Sequence, residues 1–421
     1  MCKDWAGPGV GIAMATTKLL LSLLALSALA CVPTVRTPLK QALPSVLGET
    51  GAPATCWREA ASIALPGPVR AATLADFDRN GTLDLAAITA SEGSSSLLFA
   101  FNSGAGDLSR TTSLQLNGAP VAVEAADLNL DGAVDLLVAS GPATEREPSA
   151  LHVLLGDGAG GFIAGATPLP LKPAGLFAVD LDGNDVLDAV ILGEGGKQAV
   201  SLLGDGRGEF KVEDRFRLPG EVGPEMTAFA DFDGDRQADM ATLHDRSGDR
   251  ATVTLHHGDG GKFRPWMRVE VGKGGSALAA GDVNRDGNAD LVALTDRGSD
   301  GGTPSAVLLL GNGAAKPDFM GVRYFGPAGA GELHLVDYNG DGYPDVLAPR
   351  ASGDGIEQIP GDRRGGLGKL SASPLPPLTE SLLIGDFNRD GRPELLSLSS
   401  GRANGVILSA SACDAAPPVV R

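Results

Sequence analysis

The chain has 421 residues, with 59 glycines, 28 prolines, only 5% aromatic residues and a net charge of −18. That length allows two or three ordinary domains or one large repeat architecture, and so much glycine and proline calls for many short elements joined by tight turns. The strong negative charge argues against nucleic acid or an anionic membrane surface as a partner.

Lys18 precedes the apolar run LLLSLLALSALA at 19–30, which is too short to span a bilayer and reads as a signal peptide over residues 1–30. Met14 offers a second start that would give a more ordinary signal. Ala28 and Ala30 satisfy the small-residue rule for cleavage, and Cys31 follows at once. A cysteine there resembles the lipobox of bacterial lipoproteins, in which it becomes a lipidated N-terminus. The expectation is a lipoprotein exported to the outer membrane or cell surface and held by Cys31, with plain secretion as the alternative. Residues 32–55 hold four prolines and show no period, so 31–55 reads as the lipidated cysteine and a flexible tether.

From Asp76 onward a nine-residue acidic stretch recurs seven times, its first aspartates spaced by 51, 53, 51, 51, 55 and 49 residues. Oxygen-bearing side chains fill positions 1, 3, 5 and 9. DFDRNGTLD supplies Asp76, Asp78, Asn80 and Asp84, and DLNLDGAVD supplies Asp127, Asn129, Asp131 and Asp135. DLDGNDVLD gives Asp180, Asp182, Asn184 and Asp188, while DFDGDRQAD gives Asp231, Asp233, Asp235 and Asp239. DVNRDGNAD brings Asp282, Asn284, Asp286 and Asp290; DYNGDGYPD brings Asp337, Asn339, Asp341 and Asp345. The seventh, DFNRDGRPE, carries Asp386, Asn388, Asp390 and Glu394.

Around each stretch the chain has one grammar. A small apolar run leads in, a second apolar run follows the last acid, a third ends in a glycine turn, and a fourth alternates polar and apolar. Such short runs rich in Val, Leu and Ile are strands. Four strands per repeat, seven times over, predict an all-β fold, a seven-bladed β-propeller of four-stranded antiparallel blades; a linear β-solenoid lacks the four-strand grammar. The small residues before each first aspartate, such as Ala75, Ala126 and Gly281, suit strands crowded at an axis. Repeat seven lacks its fourth strand, and WREAASIALPGPV from Trp57 resembles the fourth strand of repeat three. An N-terminal strand is therefore expected to pair with the last blade and close the ring over 56–413, leaving 414–421 as a tail. Cys56 would open that strand and Cys413 would close the third, so a Cys56–Cys413 disulfide is expected.

Oxygens at positions 1, 3, 5 and 9 of a tight loop can converge on a hard dication, and calcium accepts such mixed ligands in flexible geometry where magnesium demands a stricter octahedron. The competing reading is that Asp, Asn and Gly merely make good turns; seven loops with the same positions filled favour calcium, up to seven ions. Of the 52 acidic residues, 22 sit at these positions, and seven dications would bring −18 to about −4. Asp185 and Arg236 replace glycine at position 6, with Gly183 and Gly234 nearby to relieve the turn, and Glu394 would need a small shift to reach an ion.

The repeats resemble the FG-GAP and VCBS-type repeats of integrin α-chain propellers and of many exported bacterial proteins, over residues 57–413. The resemblance implies that the ions are structural, and that a ligand would sit on the opposite face, where the longer loops are 140–149 and 295–305. It implies a binding or adhesion module with a protein or glycan ligand, membrane contact only through the lipid, and no enzyme. A lectin-like propeller is the runner-up, though Trp57 and Trp266 are the only tryptophans of the mature chain. A carbohydrate-active enzyme is the third possibility. Catalytic constellations are not apparent: GDGAGG and GDGRGE open no helix and read as hairpin turns, and the five histidines lie in or beside strands. His256–His257 could ligate a metal, but neighbours on a strand point to opposite faces and read as ordinary strand residues.

Overall fold

The structure, a computed structural model, describes residues 34–35, 40–41, 55–91, 94–104, 106–144, 147–244, 250–297, 304–314, 318–325, 331–350, 352–362, 365–375, 381–398 and 404–412. The expected signal segment, Cys31 and Cys413 lie outside them. Seven four-stranded antiparallel blades follow one another along the chain. Blade 1 is Val69–Ala75, Asp84–Ser91, Ser94–Phe101 and Arg110–Gln115. Blade 2 is Ala119–Ala126, Asp135–Gly141, Ser149–Gly156 and Phe162–Leu169. Blade 3 runs through Pro173–Val179, Asp188–Gly193, Gln198–Gly204 and Phe210–Arg217. Blade 4 begins with Thr227–Ala230, Asp239–His244 and Ala251–Asp259.

One strand of twenty residues, Lys262–Gly281, then serves as the outer strand of blade 4 and the inner strand of blade 5. The sequence suggested separate short strands here. Gly272 and Gly274 adopt positive φ (147° and 64°), which lets the chain turn between blades while staying extended. Asp290–Arg297, Ser305–Leu310 and Met320–Phe325 complete blade 5. Blade 6 is His334–Val336, Asp345–Pro349, Gly355–Ile359 and Ser371–Pro374.

Blade 7 contributes Ser381–Gly385, Glu394–Leu398 and Asn404–Ala412, and takes its fourth strand from Thr55–Ala64. Asn404 stands opposite Ala64 and Ser411 opposite Cys56, so the N-terminal strand pairs with the last blade as expected. Thr34–Val35 and Lys40–Gln41 pair in parallel with Lys262–Gly281 and Met320–Phe325. Two short parts of the expected tether are thus laid along the outer edges of blades 4 and 5.

The second strands are buried along their whole length in blades 2, 3 and 4, because each blade is covered on both faces by its neighbours. That is why they read as continuous apolar runs and not as alternating ones. Separate hydrophobic clusters fill the joints between blades 1 and 2, 2 and 3, 5 and 6, 6 and 7, and 7 and 1. One larger cluster spans blades 3, 4 and 5. At the joint of blades 7 and 1, the Asn102 Nδ2 group donates to the Phe387 carbonyl at 2.8 Å.

Trp57 is buried on the N-terminal strand and packs against Tyr338 of blade 6, with ring centroids 6.4 Å apart. Trp57→Ala should cost about 3–5 kcal/mol, the usual loss for a buried large aromatic, read as a lower melting temperature. An unchanged melt would contradict the placement of this strand in the last blade.

Candidate metal centres

Each nine-residue stretch is the loop that carries the first strand of a blade into the second, and the same bonds recur in all seven. The position-1 aspartate accepts the amide N–H of position 5 at 3.0–3.2 Å. Its other oxygen accepts the N–H of position 6 at 2.6–2.9 Å. The position-5 side-chain oxygen accepts the N–H of position 7 at 2.6–2.9 Å. These are the local bonds by which Asp and Asn close turns, so the turn reading and the metal reading are two uses of the same side chains.

The position-9 acid does something a turn does not need. It is buried in every loop, from 0% exposed at Asp84, Asp135, Asp188, Asp239, Asp290 and Asp345 to 3% at Glu394. One of its oxygens accepts the N–H of position 2 at 2.8–3.1 Å. In blades 1 to 6 the other accepts an N–H at the end of the third strand, from Asn102, Gly156, Gly204, Gly258, Gly311 and Gly361 at 2.6–2.9 Å. A Cβ at any of those five glycines would stand 2.1–2.4 Å from the carbonyl of position 8, so the approach admits glycine alone. Glu394, one methylene longer, keeps the position-2 bond through Oε2 and turns Oε1 to the Asn388 amide at 2.9 Å.

Backbone geometry adds a feature that the acidic spacing did not reveal: positions 4 and 6 are both left-handed in all seven loops. Asp185 and Arg236 hold position 6 with φ of 64° and 71°, while Gly183 and Gly234 hold position 4 with φ of 73° and 80°. The neighbouring glycines therefore leave the demand at position 6 in place and remove it at position 4, so every loop has glycine in at least one of the two left-handed places. Where position 4 is arginine, the side chain reaches the following loop. The Arg79 side chain donates to the Gly132 and Asp131 carbonyls at 3.2 and 3.0 Å. Arg389 lies against Gly81, and Arg285 against Gly342 with its guanidinium 5.2 Å from the Tyr343 ring centre.

Carboxylate oxygens lie within 4.8 Å of one another in Asp76, Asp78 and Asp84, in Asp180, Asp182 and Asp188, in Asp231, Asp233 and Asp239, and in Asp386, Asp390 and Glu394. Loops 2, 5 and 6 carry an amide at position 3 (Asn129, Asn284, Asn339) beside acids at 1, 5 and 9. Asp78 Oδ1 and Asp182 Oδ1 are buried with no hydrogen-bond partner, and in loop 1 the other Asp78 oxygen pairs with Arg110. Buried acceptors without donors are costly, and converging carboxylates with orphaned oxygens are what a hard, oxygen-seeking dication would satisfy. The residues present fit such an ion.

The other expected features fall as follows. GDGAGG and GDGRGE are hairpin turns, in which the Asp157 and Asp205 N–H groups donate to the Gly161 and Glu209 carbonyls at 3.0 and 3.1 Å. His152 bonds the Asn117 carbonyl, and His244 and His256 bond the Thr254 and Thr242 hydroxyls. His257 is not the ordinary strand residue that the sequence suggests: its Nδ1 stands 3.4 and 3.3 Å from Asp233 and Asp239 of loop 4. The usable signal was its place just before the glycine that ends the third strand, where the other glycine-ended third strands carry Leu or Pro. The loops around 140–149 and 295–305 join second to third strands, at the opposite strand ends from the acidic loops.

Burial pushes Asp84, Asp188, Asp239 and Asp290 up to about 6 and Asp345 up to about 7, from an ordinary 3.8. An acid whose pKa is raised on folding favours the folded state while protonated, so this contribution is present below about pH 4 and is lost as pH rises through 6–7. Denaturant unfolding of the metal-free protein should show stability falling across that window. A rise would mean these carboxylates are stabilised as anions without any ion.

Three stretches, 76–138, 231–293 and 337–397, match the profile of the FG-GAP-like repeat. They cover loops 1 and 2, 4 and 5, and 6 and 7, leaving out loop 3 at 180–188. No curated protein matches the chain. Those matches place FG-GAP-like repeats on six of the seven acidic loops.

Proposed function

We propose that the protein is an exported, calcium-stabilised propeller that acts as a binding or adhesion module for a protein or surface ligand. The observation that carries this reading is the recurrence of one acidic loop at the same end of every blade. Its carboxylates converge in loops 1, 3, 4 and 7, and in loops 1 and 3 they include a buried oxygen without a donor, on Asp78 and Asp182. Oxygen-only donor sets in a flexible loop suit calcium better than magnesium. The ligands would be the acids and amides of positions 1, 3, 5 and 9 in each loop. Export rests on the apolar run at 19–30, with Cys31 as the lipid-bearing residue of an anchored form.

Calcium supplies the charge that lets these acids converge. The chain's own residues do the rest: position 1 folds the loop over itself, position 9 ties it to the third strand, and position 2 plugs it into the core. Fixing that end of each blade leaves the second-to-third-strand loops and the links between blades free to carry recognition. Trp57 is buried in the joint of blades 6 and 7, which leaves little aromatic surface for stacking sugars and favours a protein or surface ligand over a glycan.

Two outcomes test the reading. Chelation should lower stability by several kcal/mol, on the order of 5–10 °C in melting temperature, with calcium restoring it more fully than magnesium. An identical melt with and without chelator would mean the loops are turns only. Replacing 140–149 and 295–305 with short Asn-Gly turns should abolish binding of the calcium-loaded protein to its surface ligand while leaving that melt unchanged; retained binding would move recognition elsewhere.

A further inference from the structure

We propose that the loop of blade 4 is a mixed nitrogen–oxygen site that takes a first-row transition-metal dication, such as zinc or cobalt, with His257 supplying the nitrogen. The inference rests on the reading that these loops hold dications and adds which kind of ion this one selects.

The first observation is positional. His257 lies on the third strand of blade 4, one residue before Gly258, and Met240 stands opposite His256 in the register. The same register places Phe101, Leu155, Leu203, Leu310, Pro360 and Ser409 at this position in the other blades. Apart from that serine these are apolar, and among the seven blades only this one sets an imidazole beside its acidic loop.

The second is geometric. His257 Nδ1 is buried and makes no hydrogen bond. It points between Asp233 Oδ2 at 3.4 Å and Asp239 Oδ1 at 3.3 Å, whose side chains are 7% and 0% exposed. Donor atoms of Asp233, Asp235 and His257 also lie within 4.8 Å of one another. Two donors each about 2.1 Å from one ion, at tetrahedral to octahedral angles, stand roughly 3.0–3.4 Å apart, and the observed separations fall in or at the edge of that range. The imidazole is 39% exposed, which gives an ion a way in.

The third is chemical. DFDGDRQAD is the one loop with aspartate at all four ligand positions, so it offers the densest anionic donor set. Calcium takes oxygen ligands almost exclusively, whereas a neutral imidazole nitrogen favours zinc and its first-row neighbours. The ring is also held in place. Trp266 packs on it at 5.4 Å between ring centres. That tryptophan sits at a bulge, where the pairing steps from Leu255↔Met267 to His256↔Pro265.

The test uses the full chain stripped with chelator and then titrated with cobalt(II), a visible probe, in calcium excess. The wild type should bind one cobalt ion with a visible absorption band, displaced by zinc. His257→Leu, which installs the residue of blades 2, 3 and 5, should weaken that binding roughly tenfold or more. Its calcium-dependent rise in melting temperature should be unchanged. Equal cobalt binding in both proteins, or none in calcium excess while calcium still binds, overturns the proposal and leaves the calcium reading standing. Failure of calcium as well overturns the reading of the loops. Should the variant not fold, the cobalt-loaded wild type decides: a paramagnetically shifted, exchangeable imidazole proton is expected, and its absence overturns the proposal.

Discussion

A buried carboxylate at the ninth position of each loop is the constraint on which the rest of the blade depends. Its two oxygens join three separate parts of the chain: the second strand that carries it, the amide of position 2, and in six blades the end of the third strand. Position 2 is Phe77, Leu128, Leu181, Phe232, Val283, Tyr338 or Phe387, buried in every case. Each belongs to the cluster between its own blade and the next. One ionisable group therefore fixes the loop, the end of the hairpin and the plug of the interblade joint together. An ionised carboxylate at such a depth is stable only with donors or a cation beside it, and the neighbouring acids, such as Asp76 and Asp78 beside Asp84, sharpen that need by repelling its charge.

Much of the surrounding sequence follows from that arrangement. Glycine ends the third strand in five blades because a side chain there would collide with the position-8 carbonyl. Blade 1 departs with Asn102, whose backbone keeps the bond to Asp84 while its side chain reaches across to blade 7 at the ring's closing joint. Arginines at position 4 of loops 1, 5 and 7 occupy left-handed backbone with φ between 53° and 62°. Non-glycine residues reach that region at a cost of about 1 kcal/mol. Their long side chains lie on the next loop in the ring, and in loop 1 the Arg79 bonds to Asp131 and Gly132 offset that cost.

The blade count, strand order and closing strand were legible in the sequence because the acidic loops recur at a near-constant interval and because repeat seven ends one strand short. Apolar runs without alternation also announced strands covered on both faces. Less was visible wherever two elements meet in space. The fused strand Lys262–Gly281 depends on glycines that keep the chain extended between blades, and glycine-rich linkers elsewhere usually break a strand. The left-handed demand at position 4 is hidden because arginine meets it as often as glycine does. The sequence offers His256–His257 as a possible ligand pair but does not single out His257, since its meaning comes from the carboxylates across the hairpin and no local spacing of His and Asp reports a contact between a third strand and a loop.

The two ends of each blade thus have different chemistry. One end carries the acidic loops, built on the same local bonds in every blade and departing at Glu394 of blade 7 and at the histidine beside loop 4. The other end has connections that differ in length and composition from blade to blade, as recognition surfaces on a fixed scaffold do. The most direct measurement of the central claim is native mass spectrometry of the protein exchanged into calcium. The account predicts several bound ions, up to seven, all lost on chelation. A single mass equal to that of the metal-free chain, in excess calcium, would contradict it.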